Sequence, residues 1–211
     1  HQEAVLVQLE EITRLHQVID GLLFLSRAEA HAMKLDLRVQ DPAAFIRNFP
    51  PDALALVEHN GRRFAYSHEG AGNVAFDEKW LRQVLLNLLT NAIKASPAGG
   101  LITLRSAVAD GLWRVSVEDE GPGLTPEQRE RMFERFVRFD LPGSENKGSG
   151  LGLAICRSIM GLHGGRLFAQ DSTSGQGLQL TFEIPLSHGE AAVAHPPAAE
   201  KTTAPALAKA H

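Results

Sequence analysis

The sequence predicts an α/β sandwich, a mixed sheet packed against helices, with one long bundle or coiled-coil helix in front and a loose tail behind. Three observations support this fold class. A regular apolar repeat indicates the leading helix, a second apolar helix pattern lies near the middle, and alternating segments in the second half are typical of strands. With 211 residues, 44% of them hydrophobic, the chain can bury a substantial core.

The leading helix is predicted over residues 5–29. Two rows of residues repeat at heptad spacing there, and one helix cannot bury such a seam alone. The pattern therefore indicates a partner helix, from elsewhere in the parent protein or from a second chain. The alternative is that the helix packs on its own domain. The rows comprise Val5, Ile12, Ile19 and Ser26, with Leu15 and Leu22 between them and Leu9 and Leu23 widening the seam.

Short elements follow the leading helix. Residues 35–40, "LDLRVQ", alternate like a strand, and Pro42 favours a helix start. Pro50 and Pro51 end that helix early, and residues 52–59 are predicted as another short helix. The segments "RRFAYS" and "NVAF" are predicted strands on either side of a glycine-rich turn.

The second half predicts further helices and strands. Asp77 is a good N-cap for a helix that runs to about Ser96. "LITLRSAV" and "LWRVSVED" form a predicted hairpin, and "TPEQ" is a capping box that opens a short helix. Residues 149–162 show the last helix pattern, before the strand pair "RLFAQDS" and "LQLTFEI". From Ser187 onward the Ala/Pro-rich composition predicts no fixed structure.

Composition excludes several classes of function. The net charge of −4, from 21 basic and 25 acidic residues, gives no electrostatic reason to expect nucleic acid or an anionic membrane as partner. Cys156 is the single cysteine, so no internal disulfide forms and a reducing, cytoplasmic compartment is expected. No apolar run approaches the roughly 20 residues that span a bilayer. Because the chain begins at His1 within a helix pattern, we expect a fragment of a longer protein, with any membrane anchor upstream.

A polar stripe interrupts the apolar helix of residues 77–96. Asn87, Asn91 and Lys94 stand at i, i+4 and i+7, so they share one face. Amide oxygens suit Mg²⁺, which also takes phosphate oxygens and water, and an ammonium suits phosphate charge. The same spacing is also compatible with an ordinary solvent-facing stripe.

A carboxylate ends an inward apolar row in "RVSVEDEGPG". Val115, Val117 and Asp119 project from one face of the strand. A buried carboxylate needs hydrogen bonds, which the amino group of an adenine can supply, and Gly121 and Gly123 allow a close turn past a base. A plain strand end followed by a turn is the alternative.

The stretch "KGSGLGLAI" brings glycines to the start of a helix. Such a loop can bind an anion through free backbone N–H groups. It is no dinucleotide fingerprint, since the third glycine of that motif would fall at Leu153, and it lacks the lysine of a P-loop.

These motifs stand in one order and resemble the ATP-binding catalytic domain of sensor histidine kinases, of the gyrase, heat-shock-90 and mismatch-repair ATPase superfamily (GHKL, Bergerat fold). "NLLTNAIKAS" is similar to the N box, "DEGPG" to the first glycine box, "FERF" to the F box and "GSGLGLAI" to the second glycine box. "STSGQGLQLTFEIP" is similar to the closing segment. The match covers about residues 36–185, and the leading helix resembles the second helix of the family's dimerisation and phosphotransfer hairpin.

The resemblance implies three segments: a hairpin remnant at 1–32, an ATP-binding catalytic domain at 33–186 and a disordered tail at 187–211. It implies ATP and Mg²⁺ as ligands. Asn91 would be the principal Mg²⁺ ligand with Asn87 beside it, and Asn91 and Lys94 would be catalytic.

The resemblance also assigns the nucleotide contacts. Asp119 would bind adenine in a pocket shaped by Gly121 and Gly123. Residues 124–147 would form a mobile ATP lid that Phe133 and Phe136 fasten to the core. The other implied contacts are two lid cations and the second glycine box, namely Arg138, Lys147, Gly148, Ser149, Gly150, Leu151 and Gly152.

Some residues depart from the family pattern. Val137 and Ala95 stand where relatives commonly carry aromatic residues. No H-E-x-x-[RTN]-P segment is present, and His1, followed by Gln2 and Glu3, lacks its proline. The phosphoacceptor histidine is therefore expected upstream of this chain.

The resemblance implies that the parent protein moves the γ-phosphoryl of Mg·ATP to a histidine and then to an aspartate on a response-regulator receiver domain. Expected partners are ATP or ADP, that receiver domain and the phosphotransfer hairpin of the same or a partner subunit, but no nucleic acid. The parent is expected to be a homodimer anchored in the inner membrane. A GHKL-type ATPase, a serine kinase, or a nucleotide-binding interaction module without phosphotransfer are the alternatives. Asn87 occupies the natural place of a water-activating carboxylate, which argues against hydrolysis.

Overall fold

A mixed sheet packed against helices forms the body of the protein. The structure is a computed structural model that describes residues 2–139 and 148–187. The predicted α/β class is confirmed. The predicted tail, apart from Ser187, and the part of the predicted lid at 140–147 lie outside the described residues.

The helices and strands follow the predicted order. In chain order the helices are α1 (Gln2–Glu29), α2 (Pro42–Asn48), α3 (Pro50–His59), α4 (Glu78–Ala95), α5 (Pro126–Arg131) and α6 (Gly152–Leu162). The strands are β1 (Arg38–Gln40), β2 (Arg63–Glu69), β3 (Val74–Phe76), β4 (Leu101–Ala109), β5 (Leu112–Glu118), β6 (Arg166–Asp171) and β7 (Leu178–Pro185).

Within the described residues five strands form the main sheet, in the order β2-β4-β5-β7-β6, and β1 pairs separately with β3. β2 runs parallel to β4, and the other neighbours are antiparallel. The predicted hairpin joins β4 to β5. Asp110 and Gly111 both have positive φ, of 53° and 74°, as a tight two-residue hairpin turn requires.

An aromatic cluster fills the space between the sheet and the helices. Trp113 of β5 is fully buried, and its ring centroid lies 5.0 Å from that of Phe76 and 5.7 Å from that of Phe182. Phe45 of α2 meets the same indole edge-on. The indole Nε1–H donates to the Ser106 hydroxyl over 2.9 Å, so its polar group is satisfied.

Several predicted boundaries are wrong. The leading helix begins at Gln2 rather than residue 5, and the helix predicted at 52–59 begins at Pro50, because proline is tolerated in the first turn of a helix. The predicted strand at 35–40 is only Arg38–Gln40, because the facing strand β3 ends where Asp77 caps α4. The N–H of Asp36 donates to the Asp77 carboxylate instead of to a ladder partner. The helix predicted from residue 149 begins at Gly152, because Gly150 has φ +71° and its carbonyl accepts from the Phe136 N–H.

Helix α1 packs on the domain through one stripe and leaves another uncovered. Leu25 is buried with Ala154 of α6 and with Leu151, which immediately precedes α6, and the ring centroid of Phe24 lies 4.9 Å from that of Trp80. Packing on its own domain, the alternative reading, therefore holds for one face. The heptad stripe remains exposed along the described side chains Ile12, Leu15, Ile19, Leu22 and Leu23. Among the described helices, none has the length and apolar character to cross a membrane.

Replacing the central indole tests the core. Trp113→Ala should lower the free energy of unfolding by about 3–5 kcal/mol, because it removes the largest buried ring and leaves a cavity. Leu37→Ala, at a side chain that is 46% exposed, is the control and should change stability by about 0.5 kcal/mol or less. Equal losses in the two variants, measured by urea unfolding, would contradict this placement of the core.

Candidate functional site

A cavity of about 780 Å³ opens between α1, α4, α6 and the end of β5. The structure brings most of the predicted site residues into its wall: Asn87, Asn91, Lys94, Asp119, Gly123, Arg138, Gly148, Ser149, Gly150 and Gly152. Gly121 and Leu151 lie outside the wall. Lys147 falls outside the described residues.

Helix α4 supplies the polar stripe. Its apolar face is buried in the core, and Asn87, Asn91 and Lys94 therefore turn toward the cavity. Asn87 and Asn91 are half-buried there, whereas Lys94 remains exposed to solvent at the cavity wall. Partial burial lowers the pKa of Lys94. The Lys94 ammonium also lies close to the glycine loop: a Cβ added to Gly148 would lie 3.3 Å from Lys94 Nζ.

Asp119 is a buried carboxylate at the end of β5. Its side chain is 5% exposed, and its Oδ1 accepts from the N–H groups of Gly121 (2.8 Å) and Leu178 (3.2 Å). Burial raises the pKa of Asp119 to about 6. Within the described residues Oδ2 accepts no hydrogen bond, so a donor on a bound molecule would satisfy it.

Glycines permit the close packing around Asp119. A Cβ on Gly121 would lie 2.7 Å from the Ala95 carbonyl oxygen, and one on Gly177 would lie 1.9 Å from the Asp119 carbonyl oxygen. Gly177 also has φ +104°. Gly121 thus lets the chain after β5 pass close to the end of α4, although it does not itself line the cavity.

Glu118 fixes the loop that supplies one of these donors, and the sequence prediction missed it. Burial alone would raise its pKa, but hydrogen bonds from Ser172, Arg105 and Thr173 outweigh burial and lower the pKa to about 2. The loop then continues through Gly177 to Leu178, which donates to Asp119. The sequence signals available for this contact were the hydroxyl-rich run "STS" at 172–174 and the acidic pair "ED" at 118–119.

The glycine loop lies between the N-terminus of α6 and the segment after α5. The Arg138 guanidinium donates to the Gly148 carbonyl over 3.1 Å. Phe133 is buried in the core, as expected for an anchor. Phe136 differs from expectation, because its ring is 55% exposed and its backbone N–H makes the attachment to Gly150.

Helix α1 forms a further part of the wall that the site prediction did not include. Gln17, Asp20, Gly21 and Phe24 line the cavity beside residues of α4. A Cβ on Gly21 would lie 3.1 Å from a methyl carbon of Leu151, so this glycine lets the two helices approach closely. A glycine within a helix weakens it by about 1 kcal/mol, and this was the signal in the sequence.

Comparison with known proteins identifies the family. The protein-family model described as "Histidine kinase-, DNA gyrase B-, and HSP90-like ATPase" matches residues 76–188, more than half of the chain. This chain belongs to the histidine kinase-, DNA gyrase B- and HSP90-like ATPase family. Membership confirms the family resemblance, and apart from the residues of α1 the wall of the cavity lies within the matched segment.

Relatives of this ATPase domain include sensor kinases. The chain is 34% identical over 187 residues to the probable sensor protein PcoS of Escherichia coli, covering 88% of this chain and 39% of PcoS. It matches full-length ShkA in complex with AMPPNP at TM-score 0.75 and 31% identity, covering 90% of this chain and 40% of ShkA. ThkA in complex with the response regulator protein TrrA matches at TM-score 0.66 and 25% identity, covering 84% and 48%. The chain thus spans about two fifths of PcoS and of ShkA.

The pH dependence of stability tests the burial of Asp119. Its folded pKa of about 6 lies above its ordinary value of 3.8, so the folded chain binds this proton more tightly than the unfolded chain. The ionised carboxyl therefore destabilises the fold progressively between about pH 4 and 6, and by a constant amount, about 3 kcal/mol, above that range. Asp119→Asn should raise the free energy of unfolding by up to this amount at pH 7.5 and by little near pH 4.

Urea unfolding from pH 4 to 8 makes this comparison. Asp110→Asn, the same change at the exposed turn of the β4–β5 hairpin, is the control and should shift stability by about 0.5 kcal/mol or less. Parallel stability curves for wild type and Asp119→Asn over the whole range would contradict the prediction.

Two neighbouring glycines separate backbone strain from crowding at the site. Gly175→Ala introduces a side chain at φ +81° into open space and should cost about 1–2 kcal/mol. Gly177→Ala adds a clash with the Asp119 carbonyl and should cost about 1–3 kcal/mol more. Thermal unfolding of both variants measures the difference, and a milder effect at Gly177 would show that the loop does not pack against Asp119.

Proposed function

We propose that this chain is the ATP-binding catalytic part of a two-component sensor histidine kinase. One observation carries the proposal: the α4 stripe, the buried Asp119 carboxylate and the glycine loop converge on a single cavity. The similarity to PcoS and to ShkA with its bound AMPPNP supports the same reading.

Asp119 would bind the adenine. Its Oδ2 is an acceptor at the cavity wall, and its Oδ1 is held by two backbone N–H groups. An exocyclic amino group would donate to this carboxylate, and above about pH 6 the charged form makes the stronger hydrogen bond. Because the Glu118 contacts hold the 172–177 loop in place, the pocket is arranged before the ligand arrives.

The opposite end of the cavity suits a triphosphate. Helix α6 begins at Gly152 without a side-chain cap, so the first N–H groups of the helix are free to bind phosphate oxygens. Lys94 lies beside the glycine loop that precedes α6 and would balance the phosphate charge. We include Arg138 and Lys147 as further phosphate contacts.

The amide groups of Asn91 and Asn87 fit Mg²⁺. Amide oxygens belong to the ligand type that Mg²⁺ prefers, and both side chains line the cavity on consecutive turns of α4. When bound, Mg²⁺ would neutralise charge on the β- and γ-phosphates. Asn91 is proposed as the principal ligand, with Lys94 as its catalytic partner.

The chemical step proposed for the parent protein is transfer of the γ-phosphoryl to a histidine that lies outside this chain. The residues of the cavity would contribute positioning and electrostatic stabilisation, which account for most of the catalysis of phosphoryl transfer. The phosphoryl would then pass to an aspartate of a response-regulator receiver domain, a partner suggested by the ThkA–TrrA complex.

The exposed stripe of α1 fits the proposed dimeric parent. Ile12, Leu15, Ile19 and Leu23 are each about half exposed, whereas a helix in a phosphotransfer hairpin would cover such a stripe with partner helices. Residues 1–32 are accordingly assigned to the hairpin and 33–186 to the catalytic domain. A parent anchored in the inner membrane, with this part in the cytoplasm, completes the proposal.

Two alternatives share the nucleotide site. A GHKL-type ATPase would need a group that activates water, and Asn87, an amide, occupies the natural place for that carboxylate on α4. An interaction module would bind nucleotide without transferring phosphoryl. Phosphohistidine formation separates the proposal from both.

Calorimetric titration with ATP and ADP, with and without Mg²⁺, tests the binding site first. Saturable ATP binding is expected, and Asp119→Asn should weaken it at least about tenfold, equivalent to about 1.4 kcal/mol, by removing the charged acceptor for adenine. Asp110→Asn should bind like wild type. A folded wild-type chain that does not bind ATP would overturn the proposal.

Phosphotransfer is then measured with γ-labelled ATP. The chain alone should form no phosphohistidine, whereas a mixture with the parent's phosphotransfer hairpin should form it. Asn91→Ala should abolish labelling, and Asn60→Ala, at an exposed asparagine after α3, should not. Intact nucleotide binding without any labelling of the hairpin would favour the interaction module.

A further inference from the structure

The side-chain amide of Asn87 is held by two atoms of α6. Its Nδ2 lies 3.5 Å from the Gly152 carbonyl oxygen and 3.4 Å from Cys156 Sγ. A carbonyl oxygen only accepts hydrogen bonds, so the amide must turn its nitrogen toward α6. This orientation leaves Oδ1 as the group available to a ligand, and Oδ1 accepts no hydrogen bond from the described residues.

Cys156 links Asn87 back to its own helix. The thiol is fully buried, and its Sγ lies 4.0 Å from the Val84 carbonyl oxygen, three residues before Asn87 on α4. A thiol has one S–H donor and a weak acceptor, so this sulfur can donate to Val84 and accept from Asn87. The sulfur thus joins two polar groups of α4 at the cavity's inner edge.

We propose that Cys156 is a positioning residue for metal binding: its thiol, acting with the Gly152 carbonyl, holds the Asn87 amide so that Oδ1 faces the divalent cation carried by ATP. This inference rests on the proposed function, since it concerns the same nucleotide site. Cys156 does not line the cavity, so it acts only through Asn87.

A packing role for Cys156 predicts a different result from a positioning role. Valine replaces the thiol with apolar volume but has no acceptor, whereas serine keeps an acceptor and a donor in a smaller group. If the thiol only fills space, Cys156→Val should change ATP binding little. Cys156→Ser should weaken it more, because a buried hydroxyl is poorly accommodated by an apolar core. If the thiol positions Asn87, serine should preserve metal-dependent binding and valine should not.

The experiment is calorimetric titration of ATP in Mg²⁺ and in EDTA for wild type, Cys156→Val and Cys156→Ser. The ratio of the two affinities gives the Mg²⁺-dependent gain. Cys156→Val should reduce this gain about tenfold, as is usual when a group that orients a metal ligand is lost, and leave the affinity in EDTA unchanged. Cys156→Ser should keep the wild-type gain. Ile159→Val, a buried change on the same helix away from Asn87, is the control.

A double-mutant cycle makes the assignment specific. In an Asn87→Ala background, Cys156→Val should have no further effect on the Mg²⁺-dependent gain, because the oriented group is already absent. If the valine variant does not fold, Cys156→Ala removes the same acceptor. A wild-type gain retained by the valine or alanine variant, or an equal loss in Ile159→Val, would overturn the positioning role alone. Failure of wild type to bind ATP would overturn it together with the proposed function.

Discussion

A buried charge at the end of β5 sets the constraints for much of this molecule. Asp119 lies where the apolar row of the strand meets the cavity, and its carboxylate must be solvated by backbone N–H groups. One donor comes from the turn just after it, and the other comes from the start of β7. The chain must therefore bend sharply at Gly121 and pass very close at Gly177, where a Cβ has no room.

The same constraint extends to the loop before β7. The Glu118 carboxylate accepts hydrogen bonds from the hydroxyls of Ser172 and Thr173, and the Asp119 carboxylate accepts one from the backbone N–H of Leu178. These adjacent acids at the end of β5 thus hold the two ends of a single loop. Folding shifts the two pKa values in opposite directions: hydrogen bonds lower the pKa of Glu118, and burial raises the pKa of Asp119.

Local signals predicted most of the fold. The N-cap Asp77, the capping box at Thr125 and the turn at Asp110 act over a few residues, so they can be read in the sequence. The start of α6 could not be read in this way, because the Phe136–Gly150 contact joins distant segments and keeps the glycine out of the helix. The short strand β1 was mispredicted for the same reason.

The candidate site shows the same division. The α4 stripe and the glycine loop were visible as spacing, but their convergence on one cavity depends on tertiary packing. Glu118 and the α1 part of the wall were missed because their partners lie far away in sequence. Cys156 was read as an isolated thiol, and only the packing of α6 on α4 brings it to Asn87.

Helix α1 carries its two stripes on one stiff rod. Phe24 and Gly21 contact the cavity wall, while Ile19 and Leu23 point elsewhere, and a continuous helix does not allow them to turn independently. A force applied to the exposed stripe would therefore rotate the whole of α1 about its axis. Because the Phe24 ring packs against Trp80 and both rings line the cavity, the angular setting of α1 and the shape of the cavity wall are linked.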